Sequence, residues 1–214
     1  MDATDRITVV VGLQAEARLI HPLGWDVAVG GGSAAGAEAA ARSAIAQGAS
    51  ALVSFGLAGG LDPALDPGTL LVPGSVQAAG HRLPTDPALS ARLGGVTGHC
   101  LLGAAAIVAQ ADDKRRLFAE TSAAAVDLES GAVAQVAAEH ALPFAVLRAV
   151  CDPAWRSLPP AALWALNARG GIGIGRVVFS VLADFGQLPD LLALARDAAA
   201  ARRALRRRVA AIRA

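Results

Sequence analysis

Apolar residues along this chain come in short unbroken runs, set apart by glycine- and proline-rich turns and by alanine-rich stretches with helical spacing. The run ITVVVG at residues 7–12 is β-branched, continuous and closed by glycine, the pattern of a strand buried on both faces. DVAVGGG, residues 26–32, predicts a second short strand running into three glycines, and the alanine-rich segment 34–47 predicts a helix that stops at Gly48. ALVSFG at 51–56 predicts a third strand. The turn-rich AGGLDPALDPG follows it, and TLLVPGSV, residues 69–76, predicts a fourth. A short helix is expected over 112–120, capped by Asp112 or Asp113, and a longer one over 128–140, where Leu128, Ala132 and Val136 recur at regular spacing. FAVLRAVC, residues 144–151, reads as a strand, and everything beyond Pro160 reads as helix. Such alternation predicts an α/β sandwich with a mostly parallel or mixed sheet.

The strand at 144–151 delivers a single acid, Asp152, at its C-terminal end. Ligands of open α/β sheets gather beyond those ends, so an acid there is a candidate for chemistry. An aspartate before proline is also a common turn starter or helix cap. A second carboxylate, Glu129, stands upstream in AVDLESGAVAQV, residues 125–136. An acid at a helix N-terminus is favoured by the helix dipole, a role that Asp127 fills. Arg148 lies inside the apolar run and requires a partner, since a buried unpaired charge is costly; Glu129 is the candidate.

Composition adds limits. At 214 residues, with no break in composition, the chain is expected to be one domain over 1–214. The hydrophobic fraction of 54% and mean hydropathy of +0.47 are high. Much of the excess is alanine, however, and the apolar stretch 171–186 carries Arg176 and Asp184, so no membrane span is expected. The leading MDATDR has acids where a secretory signal has a basic leader, and a cytoplasmic location is expected. Cys100 and Cys151 form neither a disulfide framework nor a metal-ligand spacing, and the four histidines are scattered, so no metal is expected.

Nineteen basic against 18 acidic residues exclude a global nucleic-acid footprint, but the charge is uneven. From residue 187 to 213 a basic helix is expected, with seven arginines against Asp190 and Asp197. Leu205, Val209 and Ile212 share one of its faces, the pattern of a helix that docks on the body or lies on a membrane surface as a peripheral contact.

Three segments, VVVGLQAEARLI, VSFGLAGGLDPALDPGTLLVPGSV and AVDLESGAVAQVAAEHALPFAVLRAVCDPA, resemble in order and spacing the nucleoside phosphorylase and nucleosidase superfamily. GLAGGLDP and CDPAWRSLPPAALWAL are most similar to its hopanoid-associated phosphorylases, which cleave adenine from adenosylhopane. The resemblance implies a three-layer α/β/α sandwich around a central mixed sheet. It also implies cleavage of the N-glycosidic bond of a 5′-substituted adenosine, with inorganic phosphate as co-substrate and no cofactor. By the same resemblance Asp152 faces the purine and assists its departure, Glu129 binds the ribose hydroxyls, and Gly56, Ala58, Gly59 and Leu128 lie beside ribose and base. Gly31, Gly32 and Ser33 match in position the family's phosphate-side loop, with a plain turn as the alternative. Arg18 is the candidate phosphate cation, since a guanidinium can fork onto two phosphate oxygens, with an exposed helix arginine as the alternative. Ser54 and Leu57 depart from family members that carry an arginine and a serine for phosphate there. Glu16 stands near the glutamate that activates water in the nucleosidases, which leaves hydrolysis as the alternative. Homo-oligomers are implied. A nucleoside-binding or membrane-surface module is the non-enzymatic alternative.

Overall fold

A computed structural model of the chain describes residues 6–160 and 188–213. The runs of apolar residues form β1 (Ile7–Val11), β2 (Asp26–Val29), β3 (Ala51–Gly60), β4 (Leu70–Leu71), β5 (Ser75–Ala78), β6 (His81–Pro84), β7 (Cys100–Gly103), β8 (Ala125–Asp127) and β9 (Phe144–Asp152). Between and after them lie helices α1 (Gln14–Ile20), α2 (Ala34–Ala46), α3 (Pro87–Arg92), α4 (Ala111–Thr121), α5 (Ser130–Glu139) and α6 (Leu188–Arg213). The strands make one mixed sheet in the order β2-β1-β3-β8-β7-β5-β6, with β9 beside β3 and β4. β2, β1, β3 and β9 run parallel, so the segments that follow them open at one edge. β8 meets the end of β3 antiparallel, at Gly59 and Gly60, which brings Asp127 and Glu129 to that edge as well.

Side chains alternate between two cores. Leu52, Phe144, Val146 and Val150 pack on one side of the sheet with Ala37, Ala41, Val133 and Ala137 of α2 and α5. Val53, Phe55, Ala145 and Leu147 pack on the other with Ile20, Leu89, Ala201, Leu205 and Val209. That is a three-layer α/β/α sandwich, and it explains why these strands read as continuous apolar runs.

Several boundaries differ from the expectation. β3 runs on to Gly60, because its glycines still pair with β8 and β9. The expected strand over 69–76 is two strands, since Pro73 and Gly74 interrupt it and send β5 to pair with β6 and β7 while β4 pairs with β9. Asp112 and Asp113 do not cap α4; the cap position is Gln110, and the two aspartates pair with Arg115 and Arg116 one turn later. α5 starts at Ser130 rather than 128, with Asp127 Oδ1 accepting from the Ser130 N–H at 3.0 Å. The basic tail is a helix whose apolar face docks on the body: Leu205 and Val209 are buried, which leaves Arg203, Arg206, Arg207 and Arg213 exposed. Leu163 and Trp164, with the rest of 161–187, lie outside the described residues. No helix among the described residues is long and apolar enough to cross a membrane.

Candidate active site

Where the parallel strands end, a cavity of about 280 Å³ is lined by Glu16, Gly32, Leu57, Ala58, Gly59, Asp127, Leu128, Glu129, Arg148 and Asp152. Its apolar wall is Leu13, Ile107, Val108, Leu158 and, from α6, Leu194. Most of the expected residues therefore meet in one place. Gly56 sits just behind the wall, at φ +151°, and a Cβ there would stand 2.4 Å from Glu16 Oε1 and 2.6 Å from Arg148 Nη1. Only glycine fits that position.

Arg148 organises the acids. Its Nε lies 2.6 Å from Asp127 Oδ2 and its Nη2 lies 3.1 Å from Glu129 Oε2. Nη2 also donates to Ser54 Oγ at 2.8 Å, and Nη1 to the Leu57 carbonyl at 3.2 Å. The guanidinium is 1% exposed, and each of its three nitrogens has a partner. Glu129 leaves Oε1 for a ligand; burial pushes its carboxyl up to about 7, Arg148 pulls against that, and Asp127 and Glu16 add to the rise. Glu16 faces the same space. Its Oε2 accepts from the N–H groups of Gly12 and Leu13 at 3.1 and 2.9 Å, and its Oε1 from that of Leu57 at 3.0 Å. Burial raises the Glu16 pKa as well, again against Arg148.

Asp152 owes its place to a break in register. β9 pairs with β3 residue for residue to Val150 and Ala58, but Asp152, not Cys151, stands opposite Gly59. Such a bulge re-aims side chains at the rim of a site. Asp152 is 5% exposed, and its Oδ1 has no hydrogen-bond partner. Oδ2 is taken by Lys114 Nζ at 2.6 Å. Burial raises the Asp152 pKa, and Lys114 lowers it. The neighbouring Cys151 thiol is pushed up to about 12, chiefly by burial, so it is held protonated and unreactive.

The expected phosphate residues do not come together. Gly32 lines the cavity, and Gly31 and Gly32 take φ of +77° and +76°. Ser33 is exposed and caps α2, its Oγ accepting from the Gly36 N–H at 3.2 Å. Arg18 is exposed and is not among the lining residues. With Glu16 turned inward, a residue two positions later points about 200° round the helix. Among the described residues no group of His, Cys, Asp and Glu is arranged to hold a metal. Lys114 escaped the sequence reading because DDKRR looks like a solvated face. The available signal was that Lys114, Leu117, Phe118 and Thr121 share one side of α4.

A family model described as the phosphorylase superfamily matches residues 18–162. Solved structures share the fold at low identity. Futalosine hydrolase of Helicobacter pylori strain 26695 superposes with a TM-score of 0.67 at 18% identity, over 85% of this chain and 98% of that one. The 5′-methylthioadenosine/S-adenosylhomocysteine nucleosidase of Colwellia psychrerythraea 34H, solved with adenine, gives 0.65 at 18% identity, over 84% and 95%. The corresponding nucleosidase of Helicobacter pylori gives 0.67 at 17% identity, over 98% and 100%. No curated protein matches the chain in sequence.

Proposed function

The chain belongs to the phosphorylase superfamily, and from that premise we propose that it cleaves the N-glycosidic bond of a 5′-substituted adenosine, releasing adenine. One observation carries the reading: Glu16, Glu129 and the unpartnered Oδ1 of Asp152 surround a single cavity at the C-terminal ends of the parallel strands. In the proposed reaction the C1′–N9 bond breaks, its electron pair passes to the purine, and Asp152 donates a proton to N7. Glu129 accepts hydrogen bonds from the ribose hydroxyls and opposes the positive charge that develops on the sugar. Because it does so as a carboxylate, kcat/KM is expected to fall as pH drops through about 7, and the pH–rate profile of Glu129→Gln checks this.

Two nucleophiles are in contention. Water is favoured by Glu16, a desolvated carboxylate facing the cavity that can take the proton as the oxygen joins C1′. The commitment of Arg148 to Asp127 and Glu129 supports water too, since a phosphate dianion entering beside Glu16 and Glu129 would find no uncommitted arginine in the cavity wall. Phosphate is favoured by the two left-handed glycines, Gly31 and Gly32, whose turn can offer backbone N–H groups to an anion. The apolar wall of Leu13, Ile107, Leu158 and Leu194 suits a bulky hydrocarbon at C5′, and adenosylhopane is the substrate we propose for it. Trp155, 53% exposed, extends the apolar surface beyond the acid. The exposed arginines of α6 are the surface that would meet an anionic membrane holding such a lipid.

Purified protein incubated with adenosylhopane and with methylthioadenosine, with and without phosphate, tests the proposal by mass spectrometry of base and sugar products. Adenine release without phosphate is expected, together with a loss of about 10²-fold or more in Glu16→Gln. A sugar 1-phosphate product that forms equally well in Glu16→Gln would replace hydrolysis by phosphorolysis. No adenine from either substrate would end the proposal.

A further inference from the structure

The chain carries eighteen arginines and one lysine, and that lysine is buried, as Arg148 is. Lys114 is 0% exposed. Its three ammonium protons have three acceptors: Asp152 Oδ2 at 2.6 Å, the Pro153 carbonyl at 3.1 Å and the Arg156 carbonyl at 2.8 Å. A compact ammonium with three donors can fill this site, whereas a planar guanidinium of greater reach cannot do so without displacing the turn. The turn is held from the other side as well, because the Arg156 guanidinium pairs with Asp197 of α6.

We infer that Lys114 is a positioning residue for the reaction: by engaging Oδ2 and the following turn, it leaves Oδ1 alone to meet the leaving base. The inference rests on the reading of Asp152 as the base-facing acid. A carboxylate with both oxygens free would rotate between them, and a misplacement of about 1 Å at a reacting group costs up to about 10² in rate. Lys114 closes one of the two orientations. The charges facing Asp152 are those of Lys114, Arg156 and Asp197, with the Cys151 thiol beside it, so Lys114 is the nearest control on its protonation.

A single lysine makes the test direct. Protein labelled with nitrogen-15 lysine gives one side-chain ammonium resonance, expected to exchange slowly with solvent and to move in Asp152→Asn. With methylthioadenosine, Lys114→Met is expected to lower kcat about 10–100-fold with KM changed by less than about threefold. Its alkaline limb of activity should move to higher pH, because an acid that has lost its cation holds its proton longer. Lys114→Arg keeps the charge, so its alkaline limb should stay in place while kcat still falls. If Lys114→Met does not fold, Lys114→Gln carries the same readouts. A freely exchanging ammonium, or a folded variant with wild-type kcat and pH profile, overturns the inference. If the wild-type protein cleaves no nucleoside, the proposed function fails, while the resonance still reports whether Lys114 holds Asp152.

Discussion

Replacing Asp152 with asparagine is expected to cut kcat by about 10²–10⁴-fold while the protein remains folded. Adenine leaves poorly as an anion, and the amide has no acidic proton to place on N7. The fold survives because the amide oxygen can still accept from Lys114, in place of Oδ2. The melting temperature should nevertheless fall, because the buried ammonium loses its counter-charge. Steady-state kinetics normalised to folded protein, with circular dichroism alongside, checks both parts. A loss of less than about tenfold would remove Asp152 from the acid role.

Arg148→Met is expected to destabilise the protein by about 3–5 kcal/mol, measured by urea unfolding. The methionine fills much of the volume but leaves Asp127 and Glu129 buried without their cation. The deficit has a definite pH dependence. Glu129 already has a folded pKa of about 7, above its ordinary value of 4.5, so the stability that its protonated form contributes is fully present below about 4.5 and is lost as pH rises through 7. Without Arg148 that pKa goes higher still, and Glu16, whose pKa Arg148 also lowers, follows in the same direction. The variant should therefore lie closest to wild type near pH 5 and fall furthest behind near pH 8. A deficit that does not change with pH would mean that Arg148 contributes through packing rather than charge.

The strands around the site were legible because each is buried on both faces and so reads as an unbroken apolar run; residues 7–11, 51–56 and 144–152 are such runs. Asp152 stood out as the acid at the end of such a run, and Asp152 and Glu129 were singled out over turn and helix-end readings because the flanking segments resemble a known superfamily. Arg148 announced itself as a charge inside an apolar strand. The register slip at Cys151 was not legible, since nothing local distinguishes a bulge from a continued strand. Lys114 was hidden by its charged neighbours: Asp112, Arg115 and Arg116 are exposed and Asp113 is half-buried, so that DDKRR outweighed the side of α4 that Lys114 shares with Leu117, Phe118 and Thr121. The division at Pro73 and Gly74 was present in the sequence, but partner choice between β9 and β7 is a tertiary matter. Arg18 lies away from the cavity for a reason of phase, because Glu16 takes the inward side of α1.

The docking of α6 bears on when activity arises during synthesis. Leu194 completes the wall of the cavity, Leu205 is sealed into the core, and Asp197 clasps the turn after Asp152. A chain that ends with β9 already carries Glu16, Asp127, Glu129 and Asp152, yet it lacks the α6 side of the cavity wall and the Asp197 partner of Arg156. On the proposed function, a chain truncated before residue 188 is expected to have lost nucleoside cleavage, however complete its sheet.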